Sequence, residues 1–171
     1  MPGIPFITLP DSARVWVFAS PQPILGSDAE TLLAAAEDFV RLWAAHGAEV
    51  VGGIDWCYDH FLLIAADEAA TGVSGCSIDA LFDSLKSLER SLSVTLLDNS
   101  PVWYRGEGEQ VFAASRAEFR QLVAAGEITD DTIVFDNTVG TLGQVRSGEW
   151  ERAFATSWHG RAFAGARRLQ T

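Results

Sequence analysis

The stretch VVGGIDWCYDHFLLIAAD, residues 50–67, contains the two segments that decide the fold. Val50–Tyr58 and Phe61–Asp67 are rich in β-branched and aromatic residues, and only two residues separate them, so the stretch predicts a β-hairpin. Phe61–Ala66 is also the longest purely apolar run in the chain. It is far shorter than the roughly 18 residues that a membrane-spanning helix needs, so the sequence predicts no such span.

Strand and helix patterns flank this hairpin on both sides. Ala13–Ala19 predicts a strand, and residues 28–46 predict a helix that Ser27 and Glu30 open as a capping box. Val94–Leu97 predicts a further strand. A second helix precedes it, because six apolar residues fall on one helical face: Ile78, Leu81, Phe82, Leu85, Leu88 and Leu92.

The resulting order, β-α-β-β-α-β, predicts a ferredoxin-like α+β module within residues 1–100. Residues 101–171 predict a smaller α+β module packed on it. Its helix begins at Ser115 with Glu118 as a capping box and stops at Gly126. Its three predicted strands are Val102–Arg105, Gln110–Ala113 and Thr132–Asp136.

The chain is acidic, with 12 basic and 23 acidic residues among 171 and a net charge of −11. This charge repels phosphate backbones, so we expect no nucleic-acid partner. The acidity lies in the first hundred residues, and the C-terminal tail is basic, with Arg152, Arg161, Arg167 and Arg168 as its only charged residues after Glu151. A solvated tail, or one that lies against the acidic half or a second copy, fits this pattern.

The N-terminal residues predict the compartment. Three prolines and no basic residue in the first ten positions do not fit a secretory signal, so we expect a cytoplasmic protein with two reduced thiols. The cysteines and histidines form no close pair of the kind that binds zinc, so we predict neither a metal site nor a cofactor.

Three stretches carry a resemblance over the whole chain: Ala13–Val17 (Ala-Arg-Val-Trp-Val), Ser74–Asp79 (Ser-Gly-Cys-Ser-Ile-Asp) and Ser157–His159. They are similar to an uncharacterised family of small bacterial proteins often labelled transporter ATPases. The phosphate-binding loop of such ATPases requires Gly-x-x-x-x-Gly-Lys-Ser/Thr. Because Lys86, the only lysine, has no such glycines before it, ATP hydrolysis by that route is excluded.

The second module resembles bacterial GYF-like domains. The resemblance rests on Trp103-Tyr104, Ser115, Glu118, Leu122, Gly126–Ile128 and Asp131–Val134. It implies binding of proline-rich peptides. Where those domains usually have Gly-Pro-Phe/Tyr before the helix, this chain has Val111–Ala114.

Cys76 carries the main chemical hypothesis. It begins the leucine-rich helix within Ser74, Gly75 and Ser77, where free backbone amides and the helix dipole stabilise a thiolate or hold a small anion. The topology brings His46 toward this end of the sheet as a base, and His159 is a second candidate from the tail. Asp79, in the first turn, would raise the thiol pKa. The alternative is a packed cysteine beside a serine cap.

Aromatic residues give the second functional signal. Trp103, Tyr104, Trp150 and Trp158 all lie in the second half, and such residues dominate binding surfaces when they are exposed, whereas core packing explains them otherwise. We therefore favour a non-catalytic protein- or peptide-interaction module. A thiol-dependent enzyme that uses Cys76 and a structural subunit of a homo-oligomer are the alternatives.

Overall fold

The structure is a computed structural model in which residues 4–45, 48–70 and 72–166 are described. These ranges contain five α-helices: α1 (Gly26–Leu42), α2 (Gly75–Leu92), α3 (Arg116–Ala125), α4 (Leu142–Arg146) and α5 (Trp158–Phe163). Their strands are β1 (Arg14–Ala19), β2 (Ala44–Ala45), β3 (Ala48–Glu49), β4 (Gly52–Cys57), β5 (Phe61–Ala66), β6 (Val102–Arg105), β7 (Val111–Ala114), β8 (Ile133–Phe135) and β9 (Glu151–Ala153). The fold is α+β, as predicted. His46, Arg167 and Arg168 lie outside the described residues.

The first sheet has the order β1-β5-β4, with both pairings antiparallel. The predicted hairpin is confirmed, since Cys57 pairs with Phe61. All six residues of β5 are buried. A strand that packs on both faces needs apolar residues at every position, which explains why this run is continuous rather than alternating.

Helices α1 and α2 cover one face of the first sheet. Their buried apolar residues recur every three or four positions: Leu32, Ala36 and Val40 in α1, and Leu81, Leu85 and Leu88 in α2. This spacing places them on one side of each helix. The predicted apolar face of α2 is therefore confirmed.

The ends of α1 differ from the prediction. The capping box of Ser27 and Glu30 is wrong, because the helix already begins at Gly26, at a φ of 57° that glycine adopts easily, and has no side-chain cap. The helix also ends earlier than predicted. Trp43 turns into the core instead, where its indole N–H donates to the Ser77 carbonyl at 3.0 Å.

The predicted fourth strand, Val94–Leu97, does not form. The Glu89 carboxylate accepts the amide hydrogens of Leu96 and Leu97 at 2.7 and 2.8 Å, so those donors are not free for a sheet. One backbone hydrogen bond to the sheet remains, from the Ala19 amide to the Leu96 carbonyl at 3.3 Å. Residues 13–98 therefore lack the strand that would complete the predicted order.

The second half of the chain covers the edge of β1 that the predicted fourth strand would have occupied. The Val15 amide donates to the Gly140 carbonyl at 3.0 Å, and the Leu142 amide donates to the Ala13 carbonyl at 2.9 Å. An isolated bridge joins Arg14 to Thr141 between these bonds. Residues 140–142 thus extend the first sheet where the fourth strand was expected.

The second sheet has the order β7-β6-β8-β9. Ser115 caps the start of α3 with the predicted capping box to Glu118, and Gly126, whose φ of 78° suits glycine, caps its end. The strand at 102–105 is confirmed, and β7 and β8 lie within one residue or so of the predicted segments. In this second half, three described helices and strands were not predicted: α4, β9 and α5.

The two sheets pack face to face between outer helices. Alternate residues of β1 and β5, including Val17, Phe61 and Leu63, pack against Trp103 and Phe135 of the second sheet. The opposite face of the second sheet packs against α3 and α5. The order of layers is therefore helices, sheet, sheet, helices, and the predicted modules share the central core.

Candidate functional site

The Cys76 region is a well-capped helix start. Cys76 is exposed in the first turn of α2. The Ser74 hydroxyl accepts the Ser77 amide at 3.2 Å, and the Ser77 hydroxyl accepts the Ser74 amide at 3.0 Å. Gly75 lies between them and is exposed. Because each serine satisfies an amide of the other, part of the donor set predicted for an anion is already used.

The structure does not bring a described histidine to Cys76. His159 is 2% exposed and packs against Phe119, in the helical layer opposite α2. Burial, with Arg116 nearby, lowers the pKa of His159 from 6.5 to about 4, although Asp136 opposes the shift. Asp79 is exposed on α2, and His46 is outside the described residues. The thiol hypothesis therefore stays a prediction, because its first candidate base, His46, is not described, and His159 is buried in another layer.

Two of the predicted binding aromatics are core residues. Trp103 and Trp150 are 2% and 4% exposed and lie between the sheets. Trp158 is half-buried and stacks on His159 with ring centres 3.8 Å apart. Tyr104 is also half-buried. These residues do not form a joint exposed surface.

A groove that the sequence did not predict lies at one end of the seam between the sheets. We call it the hairpin groove, and it has a volume of about 560 Å³. The loop after β1, the turn between β4 and β5, and strand β7 form its walls, with these residues: Pro21, Gln22, Pro23, Leu25, Tyr58, Asp59, His60, Glu109, Gln110, Val111, Phe112 and Ala113. Leu25, Tyr58 and Phe112 are exposed to 59%, 45% and 41%. The groove thus gathers three large, exposed apolar side chains.

Strand β7 contributes unpaired backbone groups to the groove. Among the described strands it pairs with β6 alone, with Tyr104 opposite Phe112 and Trp103 opposite Ala113. The Gly106 amide donates to the Gln110 carbonyl at 2.9 Å. Because hydrogen-bonded and open pairs alternate along an antiparallel ladder, 104–112 is a bonded pair and 103–113 an open one. The N–H and C=O groups of Ala113, and by the same alternation of Val111, therefore point away from β6.

The hairpin that forms the opposite wall has an unusual backbone. Tyr58 and Asp59 have φ values of 57° and 59°, a region that glycine or asparagine usually occupies in such turns. Neighbouring loops hold the turn in place. The Ile24 amide donates to the Asp59 carbonyl and the Ser20 amide to the His60 carbonyl, both at 2.8 Å.

The Tyr58 side chain is fixed by the second module. Its hydroxyl donates to Glu151 Oε1 at 2.6 Å, and the Arg105 guanidinium lies 4.3 Å from its ring centre. Arg105 also donates to Glu151 Oε2 at 2.6 Å. Burial and the hydrogen bond to Glu151 raise the pKa of Tyr58 above 10.0. We call these three residues the tyrosine clamp; it connects a turn with strained backbone, which forms one rim of the groove, to the second sheet.

The thiol of the second cysteine, Cys57, stays protonated near neutral pH. Burial, followed by the charge of Asp55, raises the pKa of Cys57 to about 12. Its Sγ lies 3.7 Å from Asp55 Oδ2. A thiol held in its protonated form is a poor nucleophile.

Sequence signals for the groove were weak. The hairpin was predicted, but Tyr-Asp has no glycine to mark a turn with positive φ.

The described ranges hold no group of three or more potential metal ligands and no helix with the length and apolar character for crossing a bilayer. Comparisons with protein-family models, curated proteins and solved structures gave no match to this chain.

Proposed function

We propose that this protein is an interaction module that binds an extended segment of a partner protein in the hairpin groove. The bound segment adds a strand to β7. The observation that carries the proposal is the free edge of β7 in the groove, where Val111 and Ala113 direct unpaired N–H and C=O groups outward. Strand addition uses such groups for affinity and nearby side-chain pockets for specificity.

Both edges of the first sheet are covered by other segments, unlike the edge of β7. The Ile4 amide donates to the Gly52 carbonyl at 3.2 Å, so the N-terminal segment covers the start of β4. Residues 140–142 cover β1, as described above. Proteins usually protect free strand edges because these edges promote aggregation, so an open edge beside a groove favours a binding role.

The groove also provides positions for side chains of the bound segment. Phe112 stacks on Tyr104 with ring centres 5.9 Å apart and stays 41% exposed. Tyr58 and Leu25 lie on the opposite wall. Alternate side chains of an added strand point to opposite sides, so one set faces these apolar residues.

A partner segment fits the groove better than a second copy. Pairing of β7 with β7 would bring Asp59 and Glu109 of one copy close to those of the other, and like charges repel. The thiol-enzyme alternative stays a prediction, as do the family resemblances and the cytoplasmic location. The GYF-like resemblance would direct a proline-rich ligand to the second module.

Ala113→Pro tests the proposal with little effect on the fold. Proline removes the outward N–H without removing a hydrogen bond to β6, and free edges tolerate it. Ala113→Ser keeps that N–H and serves as the matched control. A displayed library of random dodecapeptides is selected against the wild-type protein, and the selected peptides are then synthesised and titrated against all three proteins.

We expect the selected peptides to bind wild type and Ala113→Ser alike and to lose at least tenfold in affinity for Ala113→Pro. Amide NMR signals of β7 should shift on binding. Equal binding to Ala113→Pro would exclude strand addition and point instead to a proline-rich ligand held by stacking. A dimer in sedimentation that Ala113→Pro dissociates would assign the edge to a second copy.

A further inference from the structure

We infer that the segment bound in the hairpin groove is basic, with a lysine or arginine seated between Asp59 and Glu109. This inference rests on the proposed function and specifies the chemistry of the partner. It follows from the charges that line the groove and from those that compensate one another inside it.

The lining itself is acidic. Its twelve residues include two carboxylates, Asp59 and Glu109, and no lysine or arginine. His60 is the remaining titratable base there, but it is 6% exposed, and its Nδ1 lies 2.8 Å from the Ser20 carbonyl. A cationic side chain in the groove would therefore meet negative charge on both walls.

Arg105 only partly compensates these carboxylates. Its guanidinium is bound to Glu151 at 2.6 Å, and the nearest Glu109 oxygen is 3.8 Å from its Nε. One cation thus serves two carboxylates, which leaves a charge of −1. Asp59 has no ion pair within the described ranges and adds a second uncompensated negative charge. The net charge of these four side chains is therefore −2.

Aromatic rings on the rim add a second preference for cations. Tyr58 already has one guanidinium, that of Arg105, over its ring. Phe112 is exposed and lies against Gly106, where an added Cβ would come within 2.6 Å of the ring. A lysine or arginine that reaches the groove can contact an aromatic face and a carboxylate together.

Three synthetic peptides test the inference. They share the acetylated and amidated sequence Thr-Val-X-Val-X-Val-Thr, with X as lysine, glutamine or glutamate. Affinities are measured by isothermal titration calorimetry at about 0.1 M and about 1 M salt, where the screening length falls from roughly 10 to roughly 3 Å. Asp59→Asn and Glu109→Gln remove the two charges, and Asp79→Asn, an exposed residue of α2 that does not line the groove, is the control.

We expect the lysine peptide to bind about fivefold more tightly than the glutamine peptide at low salt, and the glutamate peptide to bind most weakly. High salt should remove most of the difference, as should the pair Asp59→Asn and Glu109→Gln, whereas Asp79→Asn should not. Equal binding of all three peptides, lost in Ala113→Pro, would overturn the charge inference and leave strand addition intact. Binding of none at either salt concentration would overturn both.

Discussion

Replacing Glu151 by glutamine isolates the charge of the tyrosine clamp. The glutamine has nearly the same shape, but it cannot offer two charged acceptors to Tyr58 and Arg105, which both lie 2.6 Å from Glu151 oxygens. We expect the free energy of unfolding to fall because Arg105 would lose its main counter-ion while its guanidinium stays over the Tyr58 and Phe135 rings.

The size of this loss follows from burial. The side chains of Arg105 and Glu151 are 15% and 27% exposed, so the pair lies between a surface pair, worth at most about 1 kcal/mol, and a buried one, whose disruption costs about 3–5 kcal/mol. We expect about 2 kcal/mol. For a chain of this length, that corresponds to a fall in Tm of about 4–8 °C.

Urea and thermal unfolding of wild type, Glu151→Gln, Tyr58→Phe and the double variant form the assay. The two single changes share a hydrogen bond, so the double variant should lose less than their sum. Glu107→Gln, an exposed neighbour, should stay within about 0.5 kcal/mol of wild type. A Glu151→Gln variant as stable as wild type, or strictly additive losses, would refute the clamp as a source of stability.

Three further predictions concern other residues. Folding lowers the pKa of His159 from 6.5 to about 4. The contribution of His159 to the free energy of unfolding is therefore complete above about pH 6.5 and is lost as the pH falls toward about 4. Wild type should lose up to about 3 kcal/mol across that window, and His159→Phe should lack this step in urea titrations followed by circular dichroism. Iodoacetamide at about pH 8 should modify exposed Cys76 but leave Cys57, whose pKa is about 12, until the protein unfolds. Modification of Cys57 before Cys76 in the folded protein, detected by mass spectrometry, would contradict this prediction. Gly106→Ala would place a Cβ about 2.6 Å from the Phe112 ring, and moving that ring should cost about 1 kcal/mol in thermal unfolding and weaken peptide binding. Unchanged peptide affinity would show that the position of the Phe112 ring does not matter for the groove.

Local patterns predicted the elements whose structure is decided locally. Ser115, Glu118 and Gly126 bracket α3 in the sequence and in the structure. The same rule would have found α4, since Thr141 and Gln144 form another capping box. The apolar run of β5 was readable because both faces of that strand are buried.

Predictions failed where side chains outside the local pattern decide the outcome. Val94–Leu97 has the composition of a strand, but the Glu89 side chain takes two of its amide hydrogens. The clamp joins Tyr58 to Glu151 across 93 positions, and no local pattern reports such a pairing. Trp103 and Trp150 were predicted to be binding residues from their residue type alone. The packing of one sheet on the other buries them instead.

The shared face of β1 and β5 has a consequence for synthesis. A ribosome that has translated the first hundred residues has made both strands, but Trp103, Phe135 and Trp150, which cover Phe61 and Leu63, do not yet exist. At roughly 5–20 residues per second, residues 101–150, which include all three, take roughly 2.5–10 s. During that interval the nascent chain exposes an apolar sheet face, so chaperone depletion should reduce its yield more than that of a chain whose first half buries its own core.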